Sequence, residues 1–188
     1  MHKLGKGYLV YEGAETNAGG SAAIDFNQSE LITPGDVFIE MPIRDFKAGT
    51  YEWVRMSVSY QNYNVLMYYK GAPYTGTVAS FVGFNTYITD YKVRNKTVTV
   101  NDAKKQGYWG FESTGGSVTT GQAPEGATTV PNPMYTTSSI PAGSCVVTGK
   151  FELPFTITGN EKSDIEITLS LSTNQSFEWV DVNKKKPS

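Results

Sequence analysis

The sequence predicts an all-β fold, a two-sheet antiparallel β-sandwich or jelly roll of about ten strands, and three observations carry that prediction. Apolar residues recur with period two along most of the chain. β-branched and aromatic residues fill the stretches between Gly, Pro, Asn and Asp. Nowhere does an apolar stripe of helical spacing run for about 12 residues. Aromatic residues make up 13% of the chain and charged ones 18%. The charged share is below the roughly 25% of typical domains, a balance that suits β-rich chains.

Strands are expected at 7–12, through Tyr8, Leu9, Val10 and Tyr11, and at 37–45, through Val37, Phe38 and Ile39. In a strand at 50–60, Val54, Met56 and Val58 share the parity that reads as core. Tyr51, Trp53, Arg55, Ser57 and Ser59 then take the other face. Gln61-Asn62-Tyr63-Asn64 reads as a turn, followed by strands at 64–70, 77–88, 91–100 and 107–113, with a hint of a helical turn at 102–106. In 145–158, Val147, Phe151, Leu153, Phe155 and Ile157 share one parity. Pro154 there, like Pro42 earlier, has no amide hydrogen and belongs at an edge or a bulge. The clearest alternation is 164–172, where Ile165, Ile167, Leu169 and Leu171 form a core face, and a turn at 158–162 joins it to 145–158 as a hairpin. A last strand is expected at 176–182, before a solvated tail containing Lys184, Lys185 and Lys186.

These strands form a single domain over 1–188, long enough to bury roughly 70% of its unfolded surface. Residues 114–143, with Pro124, Pro131, Pro133 and Pro141, show no periodicity and read as a long loop, either a binding loop or a disordered segment.

Charge and single residue types exclude several functions. Sixteen Lys+Arg against eighteen Asp+Glu give a net charge of −2 with no basic stripe, which argues against nucleic acid and against an electrostatically held membrane protein. No apolar run approaches the roughly 18 residues of a membrane span, and residues 1–7 lack the apolar stretch of a signal peptide, so export would require a leader already removed. The single histidine, His2, stands too near the start to serve a buried base or a multi-histidine metal site. Cys145, the single cysteine, precedes two valines and reads as a small apolar residue of the interior. Asp181-Val182-Asn183 begins like a calcium loop, but lysines follow where oxygen ligands and a glycine are needed. No metal and no cofactor is expected. A glycoside hydrolase would need only two carboxylates. Glu40, Glu52, Glu112, Glu152, Glu166 and Glu178 all alternate with apolar residues, as on wet strand faces, and no pair stands out.

The sharpest binding candidate is the face of Tyr51, Trp53 and Arg55, where flat apolar rings flank a hydrogen-bond donor, an arrangement suited to a sugar or a peptide. The amide of Asn62 and the ring of Tyr63 would stand at its rim. The competing reading makes Trp53 a packing residue and Asn62 a turn residue. The expected function is a non-catalytic binding domain taking polysaccharide, with docking of a surface protein as the alternative and a hydrolase third.

Six segments resemble uncharacterised exported, lipid-anchored proteins of Bacteroidetes-type bacteria. They are Asp36-Val37-Phe38-Ile39-Glu40-Met41-Pro42, Ala48-Gly49-Thr50-Tyr51-Glu52-Trp53-Val54-Arg55, Ala79-Ser80-Phe81-Val82-Gly83, Gln106-Gly107-Tyr108-Trp109-Gly110-Phe111-Glu112, Ile140-Pro141-Ala142-Gly143-Ser144-Cys145 and Ser176-Phe177-Glu178-Trp179. The resemblance implies a place in the outer envelope, through a leader and an anchoring cysteine other than Cys145. It implies no activity. In that group a calcium-type Asp/Asn loop often follows the last tryptophan, and the lysines here depart from it.

Overall fold

The computed structural model describes residues 7–124 and 143–174. Among these are ten strands: β1 (Glu15–Thr16), β2 (Ala23–Asp25), β3 (Gly49–Ser57), β4 (Tyr60–Tyr69), β5 (Ala72–Phe81), β6 (Asn85–Lys92), β7 (Thr97–Lys105), β8 (Tyr108–Glu112), β9 (Val118–Gln122) and β10 (Val146–Ile157). The fold is an all-β sandwich. One four-stranded sheet runs β1-β2-β6-β7, the other β4-β5-β8-β9, and β10 pairs with β3 in a small third sheet. Every pairing is antiparallel except that of β2 with β6.

The core is where the two larger sheets face each other. Phe26, Ile88, Tyr91 and Val93 meet Ala79, Phe81 and Tyr108. Phe81 is fully buried, with the rings of Phe26, Tyr60, Tyr91 and Tyr108 at 5.1, 4.9, 5.0 and 5.8 Å. These are the tilted and edge-to-face distances that aromatic quadrupoles favour. Opposite Tyr91 the chain has Gly110, where a Cβ would overlap the Tyr91 hydroxyl and crowd its ring. Gly110→Ala is therefore expected to cost about 1–3 kcal/mol through overpacking, read as a lower midpoint in urea with an unchanged slope.

Several expected elements are corrected. Residues 7–12 and 37–45 are not strands, and Ile43–Asp45 forms a 3-10 turn that Pro42 starts. The stretch read as 77–88 is broken at Val82-Gly83-Phe84, and Val93–Lys96 turns β6 into β7. Residues 102–105 belong to β7 rather than to a helical turn, and Gln61-Asn62-Tyr63-Asn64 lies inside β4. β9 occupies part of the expected loop 114–143 because its backbone pairs with β8, whereas 125–142 and the strand expected at 176–182 lie outside the described residues. The hairpin of 145–158 with 164–172 does not form. β10 pairs with β3 instead, and Ile165, Ile167, Leu169 and Leu171 are exposed rather than core.

Val82 ties the small sheet to the sandwich. Its amide donates to the Ser59 carbonyl at the β3–β4 turn, and its own carbonyl accepts from the Cys145 amide at the head of β10, at 3.1 Å. The Gln106 side-chain amide donates to the same carbonyl at 2.9 Å. Satisfying these backbone groups places β3 and β10 beside the β5–β6 crossing.

Candidate functional site: the aromatic face of β3 and β10

On β3, Tyr51, Trp53, Arg55 and Ser57 point to one face, and Thr50, Glu52, Val54 and Met56 to the other. The register with β10 sets Lys150 opposite Trp53, Thr148 opposite Arg55 and Phe155 opposite Tyr51. Between Lys150 and Phe155 the register shifts, and the extra residues, Pro154 among them, bulge out. Leu153, on that bulge, is 81% exposed. The bulge also reverses parity. Val147 lies on the Met56 face whereas Phe155 lies on the Tyr51 face, so the single apolar row expected along 145–158 is split between two faces.

The result is a row of rings. Tyr51 and Phe155 stack at 5.4 Å with 14° between their planes, and Phe151 meets Phe155 edge-on at 4.9 Å. The Tyr51 hydroxyl donates to the Lys47 carbonyl at 2.6 Å, which sets the ring's direction. Trp53 continues the row at 41% exposure, with the Lys150 ammonium 5.7 Å from its centroid. Arg55, half-buried, closes the far end.

Three of the five candidate residues, Tyr51, Trp53 and Arg55, thus share one face. Asn62 and Tyr63 do not belong to it, because both lie on β4 in the sandwich. Asn62 has another task. Its amide donates to the carbonyls of Val93 and Lys92 at 2.7 and 3.2 Å and to the Tyr60 hydroxyl at 2.9 Å, pinning β4 to the β6–β7 turn. Lys150, Phe151 and Phe155 were missed, because nothing near residue 50 in the sequence announces a partner about a hundred residues on; the pairing itself brings them in.

Other chemistry-bearing groups are occupied or subdued. Glu112, expected on a wet face, is only 1% exposed, and one of its oxygens accepts the backbone amides of Arg94, Asn95 and Lys96 at 2.9, 2.9 and 3.1 Å. Desolvation pushes its pKa up, but these three donors and the Arg94 charge outweigh it and hold the carboxyl below the usual range. Cys145 is half-buried rather than interior, and burial pushes its thiol up, away from the reactive thiolate. Among the described residues no three His, Cys, Asp or Glu side chains gather to hold a metal, and no helix is long and apolar enough to cross a membrane.

Comparison of the chain with protein-family models, with curated proteins and with solved structures returned no match.

Proposed function

We propose that the chain is a non-catalytic binding domain, exported to the cell surface or outer envelope, that takes a polysaccharide on the face of β3 and β10. The observation that carries this reading is the exposed Trp53 ring in line with Tyr51 and Phe155, with cationic donors at Lys150 and Arg55 beside it. Sugar C–H faces pack on flat rings, and hydroxyls take hydrogen bonds from neighbouring donors, so a row of rings spaced along a strand suits successive units of a polymer.

The test is a panel of bacterial, plant and host polysaccharides, read by retardation in affinity gels and by tryptophan fluorescence. Trp53→Ala is expected to weaken a hit by at least about 2 kcal/mol, or roughly 30-fold, while lowering the stability of the fold by less than about 1 kcal/mol. A loss of several kcal/mol in stability would make Trp53 a packing residue and remove the reading. So would a blank across the panel.

A second reading, a structural or adhesive module that docks a protein by strand addition, is favoured by one observation. β10 takes one edge of β3, and no described residue pairs the other.

A further inference from the structure

Residues 164–172 carry Ile165, Ile167, Leu169 and Leu171 at 39, 43, 40 and 48% exposure, alternating with Asp164, Glu166, Thr168, Ser170 and Ser172. This is the pattern of a half-buried strand, yet the segment pairs with no described strand. The turn before it explains why it does not return along β10. Glu161 accepts the Thr158 and Gly159 amides at 2.5 and 2.9 Å and the Thr158 hydroxyl at 2.8 Å, closing a local turn in place of a hairpin.

We propose that 164–172 of one copy adds as a strand, in a second copy of this chain, to the edge of β3 that no described residue pairs. The proposal rests on the second reading above. The added strand would lie beside β3 and engage Arg55 at the end of the aromatic face, so polysaccharide binding is judged on Trp53→Ala and this proposal on association alone. Length matches, since the nine residues of β3 face the nine of 164–172. Charge and parity then select the register. With Glu166 opposite Arg55, a carboxylate meets a guanidinium, and Ile165 and Ile167 fall opposite Val54 and Met56 whichever way the added strand runs. The exposed Val147 lies on that same apolar face, across from Met56. A slip of one residue sets an isoleucine against Arg55 and Glu166 against Val54 or Met56, so the favourable pairing is specific to one parity. Edge and strand belong to the same sequence, which makes another copy the partner that this complementarity fits. Reciprocal donation gives a closed dimer and one-way donation an open chain.

Light scattering coupled to size exclusion tests this over a wide range of protein concentration. The wild-type chain is expected to associate. Ile167→Lys and Glu166→Arg are each expected to weaken association roughly tenfold or more, and Glu166→Arg combined with Arg55→Glu to recover most of it. Thermal melts of the dilute monomers should differ by little, because Glu166 is exposed and Ile167 is already 43% exposed within its own chain. The proposal is overturned if the wild-type chain stays monomeric throughout. It is overturned equally if association survives Ile167→Lys, or if the amides of 165–171 are protected from exchange in the monomer, which would show pairing within one chain.

Discussion

Phe81→Ala is expected to destabilise the protein by about 3–5 kcal/mol, the largest loss of any single truncation proposed for this chain. Phe81 is fully buried at the meeting of both large sheets, and four rings from β4, β6, β8 and the turn after β2 surround it. Removing the ring takes away its transfer free energy and leaves a cavity whose walls are themselves bulky rings fixed to strands, so collapse is incomplete. For a chain of this size the thermal midpoint should fall by roughly 10 °C. Urea unfolding monitored by far-ultraviolet circular dichroism checks the free energy directly. A loss below about 1 kcal/mol would show that the two large sheets do not meet at Phe81.

Glu112→Gln is expected to lower the thermal midpoint by several degrees and, more tellingly, to flatten the acid limb of the stability profile. The carboxylate accepts three consecutive amides of the β6–β7 turn. A glutamine carbonyl carries no charge, and the buried NH₂ brings new donors that face the same amides. The sign follows from the lowered pKa. A carboxyl whose folded value lies below its unfolded value contributes stability that is fully present above the unfolded value, near 4.5. That contribution is lost as pH falls through the lowered folded value. The wild-type midpoint should thus drop more steeply below about pH 4.5 than that of Glu112→Gln, and the two curves should converge in acid. Parallel curves from pH 7 down to pH 3 would show that the Glu112 charge does not hold the turn.

The all-β class was legible because period two and β-branched composition are local properties, set residue by residue. β3, β8 and β10 were legible in the same way, as was the parity that puts Tyr51, Trp53 and Arg55 on one face. Pro154 at a break in the β3–β10 pairing follows from its missing amide hydrogen alone. Glu112 shows the limit of such reading. It alternates with apolar residues like any wet carboxylate, but β8 turns Tyr108, Gly110 and Glu112 inward, and the turn of another strand satisfies the charge.

The buried row of β6 passes from Thr86 and Ile88 to Tyr91 where its pairing with β7 slips, and continues to Val93 in the turn that follows, which no uniform alternation could show. Strand boundaries at Gly83 and Asn95 were missed because the apolar pattern continues across both turns. Pairing is the deeper reason. An alternating segment states that it wants a neighbour and a face, but any strand with free amides and carbonyls can supply the neighbour. Sequence by itself therefore determined the class of the fold and the alternation of residue types along its strands. Only tertiary structure decided that β10 joins β3, that Lys150 and Phe155 complete the Trp53 face, and that Ile165 to Leu171 stand exposed, because those outcomes depend on backbone hydrogen bonds between segments far apart in the chain.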